Sequence, residues 1–109
     1  MLNEPKNTEP LLRAILSMTA RQAIHEGRLA QIVAKGGGES QLLAYNMCDG
    51  QKSQGEIAKA ASIDPGSFSR SVARWIEAGI VLRLGEGRDA TLLHVYPLSK
   101  EAIAKELGR

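Results

Sequence analysis

Ser67, Ser69, Arg70 and Arg74 lie within eight residues of one another and are side chains suited to reading a polyanion. Arginine grips the O6 and N7 of guanine through two parallel hydrogen bonds, and serine bonds to phosphates or to base edges. Around them Phe68, Val72 and Trp75 recur at steps of four and three, which puts these three on the inner side of a helix. Ser67, Ser69, Arg70, Ala73 and Arg74 are then left outside, and the chemistry they offer is major-groove recognition of duplex DNA. Trp75, sharing the inward stripe, is a core anchor rather than a stacking platform. Lys52 and Lys59 are candidates for positioning contacts to backbone phosphates. Arg83 and Arg88 flank a glycine-rich reversal, where arginine is drawn to phosphates or to a narrow A·T-rich minor groove.

The local signals place these residues on two short helices over 53–81, joined by a tight turn. Ser53 followed by Glu56 is a capping box, in which each side chain satisfies the other's backbone amide at a helix start. Ile57, Ala58, Ala60 and Ala61 give the first helix a small apolar face, and Ile63 is the turn's plug into the core. Asp64 and Pro65 restart the helix: aspartate caps free amides, and proline in the first turn loses no hydrogen bond. The second helix is expected over 65–78, with Gly79 as its left-handed stop. A strand over 80–84, a tip over 85–89 and a returning strand over 90–96 make a β-hairpin. Ser99 then caps a last helix whose inner face is Ala102, Ile103 and Leu107.

Upstream, 1–9 is polar and reads as a flexible tail, with Thr8 as the cap of the next element. The span 10–35 has a helical pattern with two stripes: Leu11, Ile15, Met18, Gln22, His25, Leu29 and Ile32, and beside it Leu16, Ala20, Ala23, Gly27, Ala30 and Ala34. Alternating steps of four and three are coiled-coil seam spacing. The expectation is one long helix that pairs with its copy in a homodimer, the alternative being a helix folded back over its own domain. Gly27 weakens its middle enough to allow a kink or break near 26–28. The triple glycine at 36–38 ends it. No lysine-serine or lysine-threonine pair follows those glycines and no strand precedes them, so they form a turn and not a nucleotide-cradling loop. A helix over 39–48 opens a second unit, 39–109.

The run FSRSVARWIEAGIV, with its serine-arginine pair and its exit of a glycine and two aliphatics, resembles the recognition helix of the MarR-type winged helix-turn-helix family. So do the strand after it, the glycine-rich wing tip bearing Arg88 and Asp89, the returning strand, and the proline-leucine-serine entry to the last helix. The resemblance covers roughly 41–107. It implies a mainly α fold with a small β-hairpin wing, and a dimeric transcriptional regulator of the prokaryotic type.

Composition bounds the function further. The 109 residues make one domain-sized chain with a net charge of +2. Over 51–90, six basic residues (Lys52, Lys59, Arg70, Arg74, Arg83, Arg88) stand against Glu56, Asp64, Glu77, Glu86 and Asp89, a net of +1. DNA binding must therefore rest on the placement of charge rather than its quantity. The lone Cys48 excludes an internal disulfide and reads as a core residue in a reducing cytoplasm. His25 and His94 are far apart with no cysteine or paired carboxylates beside them, so no metal is expected. No cofactor is expected, and no serine, histidine and aspartate grouping suggests an enzyme. The expected partner is double-stranded DNA, with recognition over 65–78 in the major groove and the wing over 85–89 on the backbone or minor groove. The rival reading is a winged helix that binds another protein within a larger assembly.

Overall fold

The computed structural model describes residues 7–109. Its elements run α1 (Thr8–Ala23), α2 (Glu26–Ala34), α3 (Glu39–Asn46), β1 (Asp49–Ser53), α4 (Gln54–Ala60), α5 (Pro65–Glu77), β2 (Val81–Leu84), β3 (Thr91–His94) and α6 (Lys100–Glu106). The expected tail over 1–9 lies outside the described residues up to residue 6, while Thr8 and Glu9 belong to α1. The three strands form an antiparallel sheet in the order β1-β3-β2. Val81 pairs with His94 and Leu84 with Thr91.

The helix expected over 10–35 is two helices. Ile24 is extended and ends α1. His25 then caps α2, its Nδ1 accepting the Gly27 amide at 3.1 Å. Distant residues hold the break open: the Tyr96 hydroxyl donates to the Ile24 carbonyl at 2.7 Å, and Glu26 Oε2 accepts the Ser99 amide at 2.6 Å. The break changes what each stripe does. Beyond it Leu29, Ala30, Val33 and Ala34 are buried in the chain's own core, so no continuous seam runs to residue 35. Before it α1 has no buried residue, and Leu11, Leu12, Ile15 and Met18 are each about 60% exposed.

The core lies between α2, α3, α4, α5 and the sheet. Trp75 is at its centre, fully buried, with Tyr45 and Phe68 edge-on to it at 5.7 Å each. Phe68 and Val72 are buried with it, as their spacing requires. The helix expected over 39–48 stops at Asn46, whose side chain turns to the backbone of Leu98, donating to its carbonyl at 2.9 Å and accepting its amide at 2.8 Å. Cys48 is buried, and its thiol points at the Ala44 carbonyl. Burial pushes its pKa up to about 12, so it is an inert thiol. The residues after it form β1, which pairs with β3 through Asp49 opposite Leu93 and Ser53 opposite Thr91.

Candidate nucleic-acid interface

The two-helix unit is built by its local caps. Ser53 Oγ accepts the Glu56 amide at 3.2 Å while Glu56 accepts the Ser53 amide at 2.7 Å. Asp64 Oδ2 accepts the Ser67 amide at 3.0 Å at the start of α5. Between these helices the chain reverses at Ser62, which takes a left-handed φ of 57°. Ile63 donates its amide back to the Ala58 carbonyl at 2.9 Å, and its side chain packs against the core. The turn is thus pinned by that bond, by the Ser62 amide donating to the Lys59 carbonyl at 3.2 Å, and by one partly buried hydrophobe. It fixes how far α5 stands out from α4.

Downstream, β2 and β3 form the hairpin, with a short 3₁₀ turn (Gly87–Asp89) at its tip. Positive φ at Gly85 and Gly87, 88° and 71°, allows the reversal. Adding β1 on the far side of β3 completes a sheet that buttresses a helix-turn-helix. The fold is a winged helix-turn-helix. No protein-family model matches the sequence, and no curated protein matches it. Among solved structures the multiple antibiotic-resistance repressor (MarR) from Listeria monocytogenes is similar: 23% of residues are identical, 98% of this chain and 70% of that chain are covered, and the TM-score is 0.45. The winged-helix assignment rests on the element order and sheet topology above.

The candidate residues fall into three groups. Ser69, Arg70 and Ala73 are exposed on α5, and Arg70 Nη2 donates to the Ser67 hydroxyl at 3.2 Å. Ser67 therefore steadies the guanidinium from one turn below. Arg83 and Arg88 are exposed on the wing and line one cleft of about 640 Å³ with Ser53, Gln54 and Gly55 at the start of α4. Arg83 Nη2 is held there by Gln54 Oε1 at 3.1 Å. The wing arginines and the first helix of the unit thus face a common space.

Two other cations are turned to different work. Arg74 is half-buried and directs Nη2 to the Lys35 carbonyl at 2.9 Å, with the Val33 carbonyl at 3.5 Å. These are unpaired carbonyls at the C-terminal end of α2, where a cation is favoured. Lys52 lies on β1 and pairs with Asp49 Oδ2 at 2.8 Å. That hydrogen bond holds the Asp49 carboxyl below its ordinary value. Lys59 is exposed on α4.

Lys35 was not among the residues singled out by type and spacing. It stands just past α2, exposed, beside the glycines 36–38, and lines a cleft with Arg70 and Arg74. A lysine abutting three glycines was the available signal, but nothing local brings it to α5. His25, placed by its spacing on a stripe of one continuous helix, is exposed and serves as the cap of α2. His94 stacks at a tilt on Tyr45, 5.4 Å between ring centres, and burial lowers its pKa. No described helix is long and apolar enough to cross a membrane.

Proposed function

We propose that this winged helix binds double-stranded DNA as a cytoplasmic, prokaryotic transcriptional regulator, with α5 in the major groove and the wing on the neighbouring backbone or minor groove. The observation that carries the reading is the outer face of α5. There Arg70 is exposed and steadied by Ser67, and no carboxylate among the described residues pairs with it. A guanidinium that is held in place but not neutralised is ready to meet an acceptor pair. The wing adds Arg83 and Arg88 on exposed positions. Ser67 acts through Arg70, Ser69 is free for a phosphate or base edge, and Arg74 and Lys52 act by positioning the elements.

Fluorescence anisotropy of labelled duplexes, from low to physiological salt, tests this. Wild type should bind with a negative log-log salt slope. Arg70→Ala should cost roughly 1 to 3 kcal/mol on a preferred site and relax base preference there. Unchanged affinity and selectivity in that variant would remove Arg70 from the interface.

A homodimer through α1 is part of the same proposal. The inner side of this 16-residue helix is tied to its own fold, with Leu16 and Ala20 against the core, Arg13 Nη1 donating to the Asp49 carbonyl at 3.3 Å and the Arg21 guanidinium 4.3 Å over the Tyr96 ring, while its outer side is uncovered. Leu11, Ile15 and Met18, spaced by four and three, form an apolar face that a second α1 would cover. Two-fold symmetry would then present two copies of α5 to half-sites one helical turn apart. Ile15→Glu should convert a sedimenting dimer to a monomer, and a wild-type monomer at high micromolar concentration would refute the pairing.

One observation favours the rival, a protein-binding module. Leu82 and Leu84 on β2 are 43% and 38% exposed. They lie on the same side of the wing, opposite Leu93 and Thr91. Salt separates the readings, because an apolar protein contact lacks the steep ionic-strength dependence of counterion release.

A further inference from the structure

A cleft of about 430 Å³ lies between the loop at 35–38 and one flank of α5. Three cations line it: Lys35, Arg70 and Arg74. Ser40 and Ser67 add hydroxyls. The one carboxylate in the lining, Asp64, has Oδ2 committed to the Ser67 amide. Three cations against one carboxylate leave the lining at a formal +2. Arg13, Lys52 and Arg109 have carboxylate partners in Glu9, Asp49 and Glu39, but none of the three cations lining this cleft pairs with a carboxylate among the described residues. Nε of Arg74 is buried and lacks a hydrogen-bond partner. Gathering like charges without a counterion works against folding, and the potential it creates attracts an anion. The loop leaves room for one, since a Cβ added at Gly36 or Gly38 would meet nothing within 4 Å.

We propose that this cleft binds a phosphate of the DNA backbone, with Lys35 and Ser40 as its ligands. The inference rests on the DNA-binding reading and extends its footprint. Ser67, Arg70 and Arg74 step by three and four along α5, so the cleft borders the exposed face formed by Ser69, Arg70 and Ala73. A helix with its side chains is about 10–12 Å across, and the major groove is about 12 Å wide. Phosphates of the groove wall must therefore run along the flanks of a seated helix. The 35–38 loop stands on one such flank. Arg74 is a positioning residue here, because its bond to the Lys35 carbonyl holds the loop against α5.

The test compares wild type with Lys35→Gln, Lys35→Arg and Ser40→Asp in duplex titrations between 50 and 200 mM salt, after circular dichroism has verified folding. Loss of one phosphate contact lowers the log-log slope by about 0.9, so the fall in affinity over that range should be about 3.5-fold smaller for Lys35→Gln. Base preference should not change, Lys35→Arg should keep the wild-type slope, and Ser40→Asp should weaken all duplexes alike. Wild-type slope and affinity in Lys35→Gln would overturn the cleft assignment while leaving DNA binding intact. Inorganic phosphate provides the other arm, at constant ionic strength. If it shifts the Gly38 and Ser40 amide resonances while the duplex slope is insensitive to Lys35, the site is for free phosphate and the proposal fails. If wild type binds no duplex at any salt, the DNA reading and this inference fall together.

Discussion

Arg70 and Arg74 stand one turn apart on α5, yet their replacement by alanine should give opposite phenotypes. Arg74→Ala removes a charged hydrogen bond of 2.9 Å to the Lys35 carbonyl, while the contact to Val33 at 3.5 Å is at the limit of a bond and adds little. A hydrogen bond to a charged group contributes about 1.5 to 3 kcal/mol. The Lys35 carbonyl is exposed and turns to water once its partner is gone, whereas the part-buried Val33 carbonyl loses its weak contact and the half-buried side-chain stem is lost as well. A destabilisation of about 1 to 2 kcal/mol is expected, toward the low end because the stronger bond is open to solvent. Arg70 is exposed, and its one bond is to the Ser67 hydroxyl at 3.2 Å. Its removal should change stability by no more than about 0.5 kcal/mol. Urea denaturation separates the two, with wild type, Arg70→Ala and Arg74→Ala at one protein concentration, since dimerisation would make stability concentration-dependent. The midpoint should fall for Arg74→Ala at constant slope and stay put for Arg70→Ala. Base selectivity in duplex titrations should follow the reverse order. A wild-type midpoint in Arg74→Ala, together with lost selectivity, would mean that this guanidinium leaves α2 for the DNA, and the assignment of roles would be wrong.

Two further perturbations test the packing beneath the interface. Trp75→Ala empties the space between Tyr45 and Phe68 and should cost about 3 to 5 kcal/mol, read as a lower urea midpoint with any DNA affinity lost only as the fold is lost. Burial lowers the pKa of His94 below its ordinary 6.5, so the folded state prefers the neutral ring. Above 6.5 the ring is neutral folded and unfolded and costs nothing; as pH falls through 6.5 the unfolded chain takes up a proton that the fold resists, and stability should decline. Urea midpoints from about pH 7.5 to about pH 5 should show that decline in wild type and a smaller one in His94→Gln; equal declines would place its source elsewhere.

Much of the winged helix was legible because its decisive chemistry is local. The Ser53 and Glu56 box, the Asp64 cap ahead of Pro65, and the Ser99 cap of α6 each close a bond across three residues, so neighbouring residue types suffice to set them. The inward stripe of Phe68, Val72 and Trp75 follows from helical period alone. β1 was not locatable in the same way, because Asp49–Ser53 carries no apolar alternation and is a strand only by pairing with β3. The long helix failed at Ile24 because the bonds that hold the break come from Tyr96 and Ser99, more than seventy positions away. The direction of Arg74 was decided by carbonyls 39 and 41 positions earlier, and the convergence of Lys35 on Arg70 by the same contact between the C-terminal end of α2 and the flank of α5. Residue order set which groups are at the surface of each helix. Only the tertiary structure set which of those groups spend their hydrogen bonds inside the protein and which remain for a partner, because an arginine's reach spans several possible acceptors and the nearest one is chosen by the fold.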